Sequence, residues 1–428
     1  LILCVLAILS LPRPETRAQV YINEFLASNS SGGYYDPAND NYPDWIELYN
    51  SSDSEIDVGG FYLSDDLNDL NKWKIPEGTS IAAKGYFLFL ADDLDTTNHT
   101  NFKLDADGES IGLSNGDKVL LDSVVYMPQQ TNVSMGRMDG NLSVWAYYAE
   151  PTPNARNTTA AYGGKALAPV LSEPAGFYEN PFLLEVQSPL GTASIRYTLD
   201  GSTPNLSSAL YSAPITISSN TVVKAICIEE GQMISDVISN TYFIGEHSTL
   251  PVFSFSMSPS KAGSFPFQSE DNAHVEYFDH AKTQRISQDI GVRITGLVGI
   301  HPMKTFSLYA RSEYGNSRLN HRFFKDKAIT SFKNLVLRNG GYQDYSYTYL
   351  RDGLIQSFVI NYLDLDYQAY QPVALYRNGE YLALMNMREK LNEFYVQANA
   401  NVDKDSIDLL EYQTDPPIEV LQGDCLLY

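Results

Sequence analysis

Residues 302–311 have the sequence Pro302-Met-Lys-Thr-Phe-Ser-Leu-Tyr-Ala-Arg311, and they follow two strand-like segments, Asn272-Ala-His-Val-Glu-Tyr-Phe-Asp279 and Gln288-Asp-Ile-Gly-Val-Arg-Ile-Thr-Gly296. Apolar and polar residues alternate after Lys304, which is the pattern of a β-strand with one buried face. The pattern places a lysine at the head of a strand, where a phosphotransferase can use it to hold nucleotide phosphates. A solvated lysine at a sheet edge would give the same pattern, so this stretch alone leaves both interpretations open.

Five further motifs follow in a fixed order: Tyr314-Gly315, Phe332-Lys-Asn-Leu-Val-Leu-Arg-Asn339, Tyr349-Leu-Arg-Asp352, Arg377-Asn-Gly-Glu-Tyr381 and Met387-Arg-Glu-Lys-Leu-Asn392. The ordered set spans residues 250–428 and resembles the CotH family of atypical kinases, named for a spore-coat protein. The resemblance implies ATP and a divalent metal ion, Mg or Mn, as cofactors. Two segments depart from the family pattern, Gly296-Leu-Val-Gly-Ile-His301 and Leu382-Ala-Leu-Met385.

The resemblance also implies roles for three residues. Lys304 would contact the nucleotide phosphates, Glu389 would orient that lysine through an ion pair, and Arg351 would approach the phosphates from the start of a helix. Each has a structural alternative, because Glu389 could be a solvated residue and Arg351 could pair with Asp352. The catalytic and metal-binding aspartates of the family are expected beyond residue 428, so no catalytic residue is assigned and this stretch alone is expected to be inactive.

Residues 250–428 are expected to form an incomplete α+β kinase-like domain. The sequence predicts strands at Ile290–Ile294, Thr305–Ala310, Asn334–Arg338 and Pro372–Tyr376. Apolar residues at 350, 354, 355, 358, 359 and 362 recur with helical spacing, which predicts an amphipathic helix over 349–362.

Length and charge limit the remaining interpretation. A chain of 428 residues suggests about three domains. It carries 29 Lys and Arg against 52 Asp and Glu, a formal net charge of −23. Such a surface repels nucleic acid and anionic membranes, and the charges are dispersed along the chain.

Residues 1–18 begin with the apolar run Leu1-Ile-Leu-Cys-Val-Leu-Ala-Ile-Leu-Ser-Leu11, which is too short to span a bilayer. This run is typical of a secretory signal peptide that lacks its charged start, with cleavage expected after Ala18. No other segment has about 18 uninterrupted apolar residues, so no transmembrane segment is expected.

Residues 19–158 contain short alternating runs separated by turn residues, a pattern that favours an all-β sandwich. Asn115-Gly116 is a strong hairpin signal, because both residues tolerate positive φ. The domain resembles the lamin-tail immunoglobulin-like domain in these segments: Ile22-Asn-Glu-Phe25, Asp44-Trp-Ile-Glu-Leu-Tyr-Asn50, Val58-Gly-Gly-Phe-Tyr-Leu-Ser-Asp65, Ser134-Met-Gly-Arg137, and Trp145 before Pro151-Thr-Pro153. The resemblance implies a non-catalytic interaction module. Glu24 and Glu47 could be paired catalytic carboxylates, but hydrogen bonding to a loop backbone is the preferred interpretation.

Residues 167–244 follow a Gly163-Gly164 linker and resemble the C-terminal immunoglobulin-like β-sandwich of chitobiase and hexosaminidase. The resemblance rests on Ala175-Gly-Phe-Tyr178, Ile195-Arg-Tyr-Thr-Leu-Asp-Gly-Ser-Thr-Pro204, Ala209-Leu-Tyr-Ser-Ala-Pro-Ile215 and Val222–Ile228. A rigid spacer is the preferred interpretation. Binding of cell-surface glycans through Tyr197 or Tyr211 is the alternative, because aromatic faces can stack on sugars.

Cysteine and histidine patterns give no metal or disulfide framework. Cys227 lies in the alternating run Val222–Ile228 and is expected to pack in a core. Asp403 and Asp405 lack the glycine and glutamate of a calcium loop, so helix capping by Asp405 is preferred.

The sequence therefore predicts two all-β immunoglobulin-like sandwiches followed by a kinase-like domain, in a protein that is secreted or at the cell surface. Its complete form is expected to phosphorylate Ser or Thr of extracellular or cell-envelope proteins. The alternative is a non-enzymatic adhesion or matrix protein in which the CotH-like domain is only a scaffold.

Overall fold

The computed structural model describes residues 19–263, 269–295, 304–340, 348, 351–362, 365–412 and 418–422. The chain forms two compact units, one of Leu1–Lys165 with Gly231–Met233 and the other of Ala166–Glu230 with Ile234–Tyr428. None of the described helices is long and apolar enough to cross a membrane.

The first unit is built from short strands, as predicted. The strands are β1 Val20–Leu26, β2 Asp44–Asn50, β3 Ile56–Asp57, β4 Tyr62–Ser64, β5 Trp73–Lys74, β6 Ser80–Ile81, β7 Tyr86–Ala91, β8 Ser110–Ser114, β9 Leu120–Val125, β10 Ser134–Met138, β11 Asn141–Tyr148 and β12 Ala161–Tyr162. Two larger sheets have the orders β12-β11-β10-β1-β2-β7 and β5-β4-β8-β9. Their apolar faces share one buried cluster that includes Phe25, Ile46, Phe89 and Leu113.

The predicted hairpin between β8 and β9 forms with a different turn geometry. The backbone N–H of Asn115 donates to the carbonyl oxygen of Val119, which closes the loop. The residue in the left-handed region is Lys118, at φ 62°, and not the Asn-Gly pair. The loop therefore spans more residues than the two-residue turn that Asn-Gly usually forms.

Glu24 and Glu47 are paired cross-strand neighbours and are fully buried. Glu24 accepts hydrogen bonds from Ser134 and from the backbone and hydroxyl of Thr152. Glu47 accepts from the side chain of Asn23 at 2.7 Å and from the backbone N–H of Asn154. The two carboxylates therefore anchor the loop that follows β11, which confirms their predicted structural role.

The second unit begins with a smaller β-sandwich. Its strands are β13 Val170–Leu171, β14 Gly176–Tyr178, β15 Phe182–Leu184, β16 Val186–Gln187, β17 Ser194–Thr198, β18 Ala209–Leu210, β19 Ile215–Ile217, β20 Thr221–Ile228 and β21 Ile238–Ile244. The main sheet has the order β14-β21-β20-β17-β18. Cys227 is buried in its core, as predicted. Tyr197 and Tyr211 pack against that core with ring centroids 6.3 Å apart.

The second unit continues into a closed barrel. The remaining elements are β22 Val252–Ser256, α1 Pro259–Gly263, β23 Glu270–Phe278, β24 Gln284–Thr295, β25 Thr305–Tyr309, β26 Leu319–Asn320, β27 Ser331–Phe332, β28 Asn334–Arg338, α2 Arg351–Tyr362, β29 Tyr370–Arg377, β30 Glu380–Glu389, α3 Glu393–Ala400, a 3₁₀ turn Lys404–Ser406, β31 Leu409–Tyr412 and β32 Ile418–Gln422. The barrel order is β22-β23-β24-β25-β28-β30-β29. All four predicted strands and the predicted helix of this region are present.

The barrel is filled with apolar side chains. Alternate residues of each strand point inward, so that Val292, Phe306, Leu335, Met385 and Val373 belong to one buried cluster. The residues between them point outward, and their polarity decides the chemistry of the barrel surface.

The barrel and the smaller sandwich pack directly against each other. Phe243 of β21 lies in a buried cluster with Val252, Phe278, Ala374 and Tyr376 of the barrel. Its ring centroid is 4.8 Å from that of Tyr376. The domain boundaries at 167–244 and 250–428 remain predictions, but the two segments share this buried contact.

Buried polar groups extend the same contact. Thr241 of β21 donates to the buried carboxylate of Glu276 on β23, through its backbone N–H at 3.2 Å and through its hydroxyl. Gly201 has φ +87°, and a Cβ there would collide with the side chain of Asn378. The smaller sandwich is therefore fitted closely to the barrel.

Helix α2 differs from its predicted packing. The apolar residues Leu354, Ile355, Phe358 and Tyr362 are more than half exposed. The helix instead presents Gly353 to the ring of Tyr370 on β29, where a Cβ would lie 2.9 Å from the ring. The amphipathic spacing predicted the helix correctly, but the buried contact is made through the small residue.

Candidate functional site

The outer surface of four neighbouring barrel strands is rich in positive charge. One row of cross-strand partners runs across these four strands. It consists of Arg293 of β24, Ser307 of β25, Val336 of β28 and Arg388 of β30. Arg338 of β28 lies one row further along, opposite Asn386 of β30. Arg293, Arg338 and Arg388 are named here the cationic face; Arg293 and Arg338 are half-buried, and Arg388 is fully buried beneath the residues that cover this side of the barrel.

Carboxylates are absent from the outward positions of these four strands in the rows that contain the three arginines. The outward residues of the four strands in these rows are Gly291, Arg293, Thr295, Thr305, Ser307, Tyr309, Asn334, Val336, Arg338, Leu384, Asn386 and Arg388. None of these twelve described residues is acidic, although the chain has 52 acidic and 29 basic side chains. Glu270 of the neighbouring strand β23 is the cross-strand partner of Arg293 and lies over Gly291, so the positive charge of the cationic face is mainly that of Arg338 and Arg388.

Lys304 lies at one end of the cationic face. It immediately precedes β25, as the sequence predicted, and its side chain is half-buried. Phe306, the second residue of that strand, is opposite Leu337 in the antiparallel register, so Thr305 and Arg338 lie at the adjacent ends of β25 and β28. The hydroxyl of Thr305 donates to Asn339 at 3.1 Å, which ties the ends of these two strands together.

Arg351 is the first residue of α2, whose contact with Tyr370 places the helix on the same outer surface. Tyr370 also lies 5.5 Å from the guanidinium of Arg388 and is its cross-strand neighbour. Lys304 and Arg351 therefore both belong to elements that border the cationic face.

Glu389 occupies a different place. Its carboxylate forms an ion pair with Lys327, with 2.6 Å between Nζ and Oε2, and both side chains are more than nine-tenths buried. It also accepts hydrogen bonds from the backbone of Ala369 and the side chain of Asn399, each at 3.0 Å. Lys327 donates in turn to Asn399 at 2.5 Å and to the carbonyl of Tyr367 at 2.9 Å.

The expected ion pair between Lys304 and Glu389 is therefore wrong, and strand register gives the reason. Glu389 is opposite Leu335, and Leu335 is opposite Leu308, which is four residues after Lys304. Four residues of strand span about 13 Å, and two strand spacings add about 10 Å across the sheet. The two residues lie at opposite ends of the barrel wall, and the lysine beside Glu389 comes from the loop before β27.

A second group of cations surrounds Tyr309 at the other end of the cationic face. The cationic head groups of Arg293, Arg311 and Lys390 lie 5.1, 5.2 and 5.8 Å from the centre of its ring. Arg293 also donates to the Tyr309 hydroxyl at 2.6 Å. Glu270 forms an ion pair with Arg311 at 2.8 Å, which neutralises part of this charge.

Metal ligands are a separate question. Within the described ranges, no group of three or more His, Cys, Asp or Glu side chains is arranged to hold a metal ion.

Asp403 caps the 3₁₀ turn by accepting from the backbone N–H of Asp405, so the capping residue is Asp403 and not Asp405.

Sequence reasoning placed Lys304 at the head of β25 but did not identify the three arginines of the cationic face. Arg293, Arg338 and Arg388 each alternate with core residues, so the strand pattern alone placed them outside the barrel. Their adjacency could not be predicted, because it depends on which strands are neighbours and in what register. The available signal for these arginines was a long strand pattern with an arginine at an outward position.

Comparison with known proteins assigns three segments of the chain to families. A search of curated proteins found no match. Residues 13–128 match the family model described as Lamin Tail Domain, and residues 178–242 match the model described as Fn3 associated. The cationic face and Lys304 lie in or next to the segment 300–423, which matches the model described as CotH kinase protein. The chain thus joins a lamin-tail domain, an Fn3-associated β-sandwich and a CotH kinase segment, as its motifs predicted.

Proposed function

We propose that the protein is secreted, that its CotH segment binds the phosphates of ATP beside Lys304 and the cationic face, and that its complete form phosphorylates Ser or Thr of extracellular or cell-envelope proteins. The two β-sandwiches would serve as binding or spacer modules. The proposal combines the CotH family match with one observation, the position of half-buried Arg338 at the strand end beside Lys304.

The concentration of cations is the observation that carries this proposal. A polyphosphate needs several positive groups within a few ångströms, and guanidinium groups bind phosphate oxygens in a fork geometry. Arg338, at the end of β28 next to the start of β25, is the half-buried arginine nearest to Lys304 in the strand register, whereas Arg388 in the next row is fully buried and adds only to the local potential. An acidic protein surface would otherwise repel ATP, so rows in which β25, β28 and β30 carry no outward carboxylate favour an anionic ligand.

The described residues fit a polyphosphate but do not supply a metal-binding set. A divalent metal ion would neutralise phosphate charge when bound with the nucleotide. The role proposed for this part of the chain is therefore to position the phosphates of the nucleotide. Lys304 and Arg338 would hold the phosphates, and Arg351 would approach them from the start of α2.

Glu389 supports the second candidate function, a non-enzymatic adhesion or matrix protein. Its carboxylate is used entirely within the fold, by Lys327, Ala369 and Asn399. An arrangement of this kind stabilises a scaffold whether or not a nucleotide binds. The two functions differ in one measurable property, which is affinity for ATP.

Calorimetric titration with ATP, with and without Mg²⁺, tests the proposal. We expect ATP to bind, adenosine to bind much more weakly, and the affinity for ATP to fall as salt is raised, because the contacts are ionic. Lys304→Ala should weaken ATP binding about tenfold, the loss expected for one charge-assisted hydrogen bond. Lys333→Ala is the matched control and should change the affinity less than twofold. ATP binding that is absent, or that is equal for both variants, would favour the scaffold function.

A further inference from the structure

A second basic surface lies beyond the cationic face, around the β26–β27 ribbon and the start of α3. Five positive side chains form it: Arg293, Arg311, Arg318, Lys333 and Lys390. Three of them surround Tyr309 at 5.1–5.8 Å from its ring. These five residues are named here the basic cluster.

Few carboxylates balance the basic cluster. Glu270 and Glu313 both approach Arg311, at 2.8 and 4.0 Å. Glu389 borders the cluster, but it is already paired with Lys327. Among the residues that the structure describes, Arg318, Lys333 and Lys390 form no ion pair. The cluster therefore keeps an excess of positive charge in a chain whose net charge is −23.

The electrostatic effect of this crowding is visible at Lys333. Burial lowers the pKa of its ammonium group, and repulsion from Arg318 and Arg311 lowers it further. A bound anion would relieve that repulsion, because an opposite charge nearby favours the protonated lysine.

The cluster also contains a small pocket. Its volume is about 20 Å³, and it is lined by residues that include Arg318, Lys333, Lys390, Asn334 and Asn392. Asn392 donates to Asn334 at 2.8 Å, which fixes both amides at the wall of the pocket. A space of this size holds one water-sized group, such as a carboxylate oxygen, and is too small for a nucleotide base.

The neighbouring backbone favours a peptide as the ligand. Strands β26 and β27 form a two-stranded ribbon, and in the described part of the chain neither is paired with a further strand. The outer edge of such a ribbon offers backbone groups to an added strand. Arg318 immediately precedes β26 and Lys333 immediately follows β27, so the antiparallel register places both charges at the same end of the ribbon.

We propose that the basic cluster is a binding site for an acidic peptide segment of a partner protein, whose carboxylates would contact Arg318, Lys333 and Lys390. The ligand would lie extended along the β26–β27 ribbon, with one carboxylate oxygen in the pocket. This site shares Arg293 with the cationic face but none of Lys304, Arg338 and Arg351, which are proposed to contact ATP, and it does not depend on phosphoryl transfer.

Fluorescence anisotropy with a labelled hexaglutamate peptide tests this site in the whole chain. We expect saturable binding that weakens as salt is raised, and no comparable binding of a neutral hexapeptide. The double variant Arg318→Glu/Lys333→Glu should weaken binding at least tenfold. The double variant Lys74→Glu/Lys84→Glu changes the net charge equally at exposed positions of the first unit and should leave binding within twofold.

Three results would overturn the proposal: no binding of hexaglutamate, equal loss in the two double variants, or tighter binding of an acidic polysaccharide such as polygalacturonate than of the peptide. Circular dichroism of each variant shows whether it is folded, and the single variant Lys333→Gln, expected to weaken binding about threefold, gives a milder test. Lys304→Ala should leave peptide binding unchanged. A failure of ATP binding and a failure of peptide binding are thereby distinguished.

Discussion

Lys327 and Glu389 form a buried ion pair with 2.6 Å between Nζ and Oε2, and only 7% and 4% of the two side chains are exposed. The rings of Tyr367 and Tyr395 lie 4.5 and 4.9 Å from the same ammonium group. The pair joins the loop before β27, the end of β30 and helix α3. It holds together the end of the barrel wall that lies opposite Lys304.

Removing one member of this pair should destabilise the second unit strongly. We expect Lys327→Met to lower the free energy of unfolding by about 3–5 kcal/mol, because the carboxylate of Glu389 would remain buried without its partner. Urea denaturation followed by far-UV circular dichroism measures the change. The double variant Lys327→Met/Glu389→Leu should lose less than the sum of the single losses, and simple additivity would show that the two residues act independently.

Glu389 should have little influence on nucleotide affinity. We expect Glu389→Gln to change the dissociation constant for ATP less than twofold, because the side chain is used within the fold and lies far from Lys304. Calorimetry at a temperature where the variant is folded measures this. A loss as large as the approximately tenfold loss expected for Lys304→Ala would mean that Glu389 does orient the nucleotide site.

The lamin-tail domain should be more stable in mild acid than in mild base. Burial raises the pKa of Glu47 from its usual 4.5 to about 8, although hydrogen bonding from Asn23 opposes the shift. The pKa of Asp44 is raised to about 7, also by burial. The folded domain therefore binds more protons than the unfolded chain between about pH 4.5 and 8, so its stability falls as the pH rises through this window.

Tryptophan fluorescence measures this effect selectively, because all three tryptophans lie in this domain, at positions 45, 73 and 145. We expect a loss of about 2–4 kcal/mol between pH 5 and pH 8, the size expected for a shift of two to three pH units. Glu47→Gln should make the dependence on pH shallower, since its side chain cannot ionise. Glu55→Gln, at an exposed position, is the control and should keep the full slope.

The smaller sandwich and the barrel should unfold together. Phe243→Ala removes a ring that contacts Phe278 and Tyr376 across their junction, and we expect a loss of about 3–5 kcal/mol. Hydrogen exchange should then increase in β20 and β21 as well as in β22 and β29. An increase confined to residues 167–244 would show that the sandwich unfolds independently of the barrel.

This coupling also bears on proteolysis between the two segments. The polar residues within 243–250 would by themselves favour a linker open to proteases, like the segment near 155–168. In the structure Phe243 and Val252, on either side of that segment, belong to one buried cluster. We therefore expect limited proteolysis to cut near 155–165 first, while 243–250 resists.

Local patterns predicted the elements of this protein well. Alternation predicted the strands around Val292, Phe306 and Leu335, and helical spacing predicted α2. Turn chemistry located the β8–β9 hairpin, although the left-handed residue proved to be Lys118. These features depend on neighbours in sequence, which is the information that patterns contain.

Features that depend on strand register could not be predicted from the sequence. The cationic face requires β24, β25, β28 and β30 to be neighbours in one alignment, and no residue of one strand specifies its partner. The pairing of Glu389 with Lys327 could not be predicted for the same reason. Both residues have many possible partners of opposite charge, and barrel closure selects one of them.

The closure of the barrel has a consequence for how the chain folds. Residues 252–255 of β22 pair in parallel with residues 374–377 of β29, so the first strand of the barrel is completed by one synthesised about 120 residues later. Contacts of such long sequence separation form slowly, because a large loop must close before they stabilise anything. Until then the apolar strand β22 has one open edge. The slowest folding phase should therefore belong to the barrel, and the sandwich that precedes it can fold early and cover the neighbouring surface before β29 pairs with β22.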